Sequence, residues 1–100
     1  MRDVLAEISA GAATLHDVEE FYNSVMESSD AERVAELLGL SRQEWTAFGH
    51  GVWFDELARW RRDGWPTVCG RCGGIVDVER FGWLAVNHGD GHRLEHVVCP

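Results

Sequence analysis

The sequence predicts an α+β protein: a bundle of four or five short helices over residues 1–66, then a cysteine-bearing antiparallel β hairpin over 67–100. Three observations carry this. Apolar residues recur at helical spacing as far as Pro66, and β-branched or aromatic runs of strand length follow it. The charge divides unevenly, with 6 Arg against 13 acids in residues 1–66 and 3 against 4 in residues 67–100. All three cysteines and more than half of the glycines lie in the second part.

Val4, Leu5 and Ile8 give a first helix one apolar face, and Gly11 ends it as a left-handed C-terminal residue. Thr14 with Asp17 caps a second helix, whose Val18, Phe21, Tyr22, Val25 and Met26 form one apolar stripe. Ser29 with Glu32 matches a capping box ahead of Val34, Leu37 and Leu38, and Gly39 closes that third helix. Ser41 with Glu44 repeats the pattern, and Trp45 and Phe48 supply the core face of a fourth. Past His50-Gly51, Phe54, Leu57, Ala58 and Arg61 mark a fifth, stopped by Gly64 and Pro66. In the last third, Ile75–Val78, Phe81–Val86 and Leu94–Val98 read as strands, with the Asn87–Gly91 turn before the last. A sheet of two or three strands is too small to hold itself together in water.

Composition narrows the function. At 45% hydrophobic and 26% charged residues the chain folds rather than staying disordered. Nine Arg, no Lys and 17 acids give a formal charge of −8, which excludes a simple polybasic binder of nucleic acid or membrane. No apolar run approaches membrane-spanning length, and Met1-Arg2-Asp3-Val4 lacks a leader's apolar stretch. The expected location is therefore the cytoplasm, where three cysteines stay reduced.

What holds the hairpin is legible in Cys69-Gly70-Arg71-Cys72-Gly73 and His96-Val97-Val98-Cys99. Two ligand pairs, each separated by two residues, stand at opposite ends of the β segment. That is the arrangement for a tetrahedral Zn²⁺, and it predicts one closed structural ion in a zinc-ribbon-like module. Cys69, Cys72, His96 and Cys99 are the expected ligands, with His92 or His88 as substitutes for His96. The competing readings are a reduced cysteine cluster without metal and a redox C-x2-C, the latter disfavoured because no βαβ context surrounds it. A second, catalytic metal at His88, Asp90 and His92 is less expected than an ordinary glycine-rich turn.

Glu32 through Trp45 resembles a helix-turn-helix of the phage-repressor type. The resemblance implies that Ser41, Arg42, Gln43 and Thr46 face a DNA major groove. Glu44 and the surrounding acidity oppose such a surface. Leu5–Gly11, Asp17–Phe21, Ser29-Asp30 and Leu38-Gly39-Leu40 with Glu44-Trp45 also resemble small bacterial proteins, some of them antitoxin-like. That likeness implies a helical domain and no reaction. The ligand order of the tail is similar to that of PARP-type and LIM-type zinc fingers.

Five tryptophans in 100 residues exceed what a small core needs. Trp53 and Trp60 lie beside the apolar face of the fifth helix, so either the zinc module or a partner protein covers them. With Arg59, Arg61 and Arg62 they form the expected partner-binding surface, aromatic and arginine side chains being enriched at interface hot spots. The function expected is a non-enzymatic zinc-binding regulator or adaptor acting on another protein with a basic surface, antitoxin-like or transcription-associated. The alternative is a helix-turn-helix DNA-binding repressor with a structural zinc site.

Overall fold

A computed structural model describes residues 2–100. Five helices precede a two-stranded sheet, so the expected α+β class holds. The helices are α1 (Val4–Ala10), α2 (Leu15–Glu27), α3 (Val34–Leu38), α4 (Arg42–Gly49) and α5 (Phe54–Asp63), and the strands are β1 (Trp83–Asn87) and β2 (His92–His96).

The caps read from sequence are present at α2 and α4. Thr14 Oγ1 accepts from the Asp17 amide at 3.1 Å while Asp17 accepts from the Thr14 amide at 3.0 Å. Ser41 and Glu44 make the same reciprocal pair at 3.1 and 2.8 Å. The box expected at Ser29 and Glu32 does not form. Instead Ser28 Oγ accepts from the Asp30 amide, and a 3₁₀ turn over Ala31–Arg33 leads into a short α3.

The core is one cluster that runs across position 66. Val4, Leu5, Val18, Leu38, Phe54 and Leu57 from the helices join Trp83, Ala85 and Leu94 from the sheet. α5 packs along α1, and its last turn faces the hairpin through a chain of indoles. Trp60 lies 5.0 Å from Trp65, and Trp65 lies 5.9 Å from Trp83. Two polar links tie the layers as well: the Ala85 amide donates to His50 Nδ1 at 3.1 Å, and the His92 amide donates to Glu56 at 2.7 Å.

β1 and β2 pair antiparallel with Trp83 opposite His96 and Asn87 opposite His92. Trp83, Ala85 and Leu94 point inward. The strand expected over Ile75–Val78 is absent. Ile75 makes a single antiparallel bridge with Val68, and Asp77 then caps a 3₁₀ turn over Val78–Arg80. The Gly73-Gly74 turn before Ile75 and the cap after it leave too few residues for a ladder. The returning strand starts two residues earlier than expected and ends at His96.

Three side-chain placements also depart from expectation. Trp45 is 37% exposed on the outer side of α4, and Met26 is 45% exposed on α2. Trp60, expected beside the apolar face, is only 4% exposed because Trp65 folds over it. No helix among the described residues is long and apolar enough to cross a membrane.

Candidate metal centre

The candidate metal centre is assembled from two turns held by backbone hydrogen bonds. In the first, the Cys69 amide donates to Gly74 O at 2.8 Å and the Gly73 amide donates back to Cys69 O at 3.0 Å. This tight loop turns both thiols to one side, and Gly73 occupies the left-handed region (φ 75°) that closes it. The second turn leaves the end of β2, where the Val97 amide donates to Gly82 O at 2.9 Å. A bond from the Gly70 amide to Leu94 O at 3.0 Å fixes one turn against the other.

The result brings Cys69, Cys72, His96 and Cys99 together, with one ligand atom of each within 4.8 Å of all the others. Cys69 Sγ lies 3.9 Å from Cys99 Sγ, and Cys72 Sγ lies 3.4 Å from His96 Nδ1. A tetrahedral ion with metal–sulfur bonds of ~2.3 Å and metal–nitrogen bonds of ~2.05 Å requires edges of ~3.8 and ~3.6 Å. The cluster can thus hold one metal ion with little movement. Cys69 is buried and Cys72 exposed, so the site sits at the surface with one thiol in the core.

The outer contacts suit such an ion. His96 Nε2 lies 3.1 Å from Ile75 O, which holds its proton on that nitrogen and aims Nδ1 at the thiols. Burial opposes ionisation of Cys69, but amides of Cys72, His96 and Arg71 directed at its sulfur outweigh burial and bring its pKa down to about 5. Cys99 moves the other way: burial raises it first, and the two neighbouring cysteines add to the effect. The Cys72 sulfur raises His96, against the effect of burial. Thiolates packed this close repel one another, and a cation among them relieves that repulsion. Arg71 braces the set, donating to His96 O at 2.6 Å and lying 3.6 Å from Glu95.

The other expected residues are distributed differently. His88 Nε2 pairs with Glu95 at 2.8 Å, His92 Nδ1 pairs with Glu56 at 2.7 Å, and Asp90 faces Arg93 at 3.8 Å. The three do not converge, so the fourth donor in the cluster is His96. The partner surface expected at Trp53, Arg59, Trp60, Arg61 and Arg62 is not assembled as one face. Trp60 is in the core, Arg59 pairs with Glu56, and Arg62 pairs with Asp63. Trp53 is half-exposed at the start of α5, its indole donating to Glu19 at 2.6 Å. Of the residues expected in a major groove, Ser41 is spent on its cap and Thr46 donates to Arg42 O at 2.7 Å. The Arg42 guanidinium sits 5.5 Å over the Phe81 ring, while Gln43 lines a shallow cleft with Trp65 and Glu79.

Sequence reasoning missed what Arg61 does. Its guanidinium donates to Glu44 at 2.7 and 2.6 Å, to Asp3, and to Gly39 O at 3.2 Å. It therefore joins the N-terminus of α1, the C-terminus of α3 and the N-terminus of α4. Glu44 is the one buried charged residue in the described chain, and an acid at a buried helical position was the available signal that a cation had to reach it.

Searched against protein-family models, curated proteins and solved structures, the chain finds no match, so its functional reading rests on the geometry above.

Proposed function

We propose that this protein is a non-enzymatic adaptor whose C-terminal hairpin is stapled by one structural zinc ion and which acts by binding another protein. The convergence of Cys69, Cys72, His96 and Cys99 within 4.8 Å carries the reading. Three soft thiolates and an imidazole at tetrahedral spacing select zinc over hard cations, and four protein donors leave no coordination position for a substrate. Zn²⁺ with three thiolates carries about −1, a charge Arg71 offsets from beside the loop.

The energetics fit a structural role. A lone two-stranded hairpin is marginal in water, whereas structural zinc contributes roughly 10–16 kcal/mol of apparent binding energy at neutral pH. That energy keeps Trp83 and Leu94 in the core shared with the helices. With zinc bound, the hairpin presents a fixed edge to the helices rather than a mobile tail.

Metal titration followed by near-ultraviolet circular dichroism tests this. Chelation should abolish the signal of the Trp60–Trp65–Trp83 chain, and one equivalent of zinc per chain should restore it. Cys72→Ser should weaken zinc binding by at least tenfold, with His88→Ala leaving it unchanged. A spectrum indifferent to chelation, or a stoichiometry lost in His88→Ala, would refute the assignment.

A further inference from the structure

We propose that the face formed by half-buried Tyr22 and the exposed Met26, Trp45 and Trp53 is the docking site for a basic segment with apolar anchors on a partner protein. This deepens the adaptor reading by giving it a surface, and it moves that surface away from the arginines where the sequence placed it.

The face is contiguous. Phe48, nearly buried, is its floor: Trp45 lies 5.5 Å, Trp53 5.2 Å and Tyr22 5.2 Å from that ring. Tyr22 also meets Trp53 edge-on at 6.1 Å. Met26 follows Tyr22 by one turn of α2 and is 45% exposed, while both indoles are 37% exposed. Tryptophan, tyrosine and methionine at an accessible site are the side chains that dominate interface energetics.

The charge pattern states what covers it. Eight of the nine arginines pair with carboxylates, and the ninth, Arg42, lies over Phe81. Those pairs occupy nine of the 17 acids and leave eight without an arginine partner. Seven of the eight fall in residues 17–32 or at Asp55. Six of those acids thus lie in residues 17–32, the stretch that also carries Tyr22 and Met26. Glu19 accepts from the Trp53 indole, Glu27 adjoins Met26, and Asp55 stands two residues past Trp53.

Carboxylates beside an apolar centre, with Glu19 in direct contact with Trp53, repel nucleic-acid phosphate, anionic lipid and a second copy of the same face. They attract a cationic segment and set its approach. Apolar anchors then account for residence, because rim charges act mainly on the rate of encounter.

The test uses the full zinc-loaded chain and two synthetic peptides, one alternating arginine with leucine and tryptophan, the other with glutamate in place of arginine. Heteronuclear NMR should show saturable shifts of the Trp45 and Trp53 indole N–H signals with the arginine peptide and none with the glutamate peptide. Affinity should fall roughly tenfold between 50 and 300 mM salt. Trp45→Ser should weaken binding at least tenfold. Glu19→Gln with Glu27→Gln, which leaves the aromatic residues in place, should weaken it about fivefold. Shifts confined to the hairpin, equal binding of both peptides, or no effect of the Glu19/Glu27 change would overturn the proposal. None of these residues touches the metal cluster, so a failure here is separable from a failure of the zinc assignment, which the chelation spectrum reads alone.

Discussion

Replacing Arg61 with methionine removes the cation from a carboxylate that has almost no access to water. Glu44 has a side chain 5% exposed and keeps one other strong donor, the Ser41 amide at 2.8 Å. Stripping the partner from a buried ion pair costs about 3–5 kcal/mol. The guanidinium is itself 30% exposed, so solvent screens part of the attraction and the lower end applies. The contact with Asp3, 45% exposed, adds under ~1 kcal/mol. The expected loss is thus about 3 kcal/mol, which for a chain of this length lowers Tm by roughly 12–24 °C. Arg61 is held above its ordinary pKa by the hydrogen bond to Glu44, so it stays charged and the loss should not vary with pH near neutrality. A double-mutant cycle isolates the pair. Glu44→Gln retains an oxygen for the Ser41 amide, and its coupling to Arg61→Met should be about 1.5–2 kcal/mol by thermal or urea unfolding. A loss below ~1 kcal/mol with negligible coupling would mean that Arg61 behaves as a free surface arginine, and the three-terminus clamp would be refuted.

Gly39→Ala should cost more than ~2 kcal/mol in urea unfolding, because φ is +75° there and a new Cβ would lie 2.4 Å from Arg2 O; Gly11→Ala, at φ +73° with open space, should cost about 1 kcal/mol. Asp17 is held below the ordinary carboxylate range chiefly by the Thr14 amide, so its folded pKa lies under its unfolded 3.8. Its contribution is complete above that value and lost as pH falls through the depressed one. Asp17→Asn should therefore flatten the acid limb of a stability–pH curve below about pH 4 without altering the slope near neutrality. An unchanged acid limb would remove Asp17 from the cap.

Much of the fold was written in short-range signals. The Thr14/Asp17 and Ser41/Glu44 boxes act over three residues and need no tertiary context. The four-residue cluster was equally legible, because C-x2-C and H-x2-C each describe one local turn and a tetrahedral site takes two such pairs. What remained hidden depends on long-range packing. Trp45 satisfies a helical period yet faces outward, since the space over α4 is filled by Phe48, Phe54 and Tyr22. Trp60 sits off its helix's apolar face and is buried by residues that follow the helix stop. The pairing of Arg61 with Glu44 spans 17 positions and no local pattern announces it. The Ile75–Val78 run has strand-forming residues, but its neighbours allow only one bridge.

The most direct measurement is zinc-edge X-ray absorption of the purified chain. Three sulfurs at about 2.3 Å and one nitrogen at about 2.0–2.1 Å, with one ion per molecule, is the result predicted from Cys69, Cys72, Cys99 and His96. An oxygen donor in the inner sphere, a second nitrogen, or protein free of metal would contradict it.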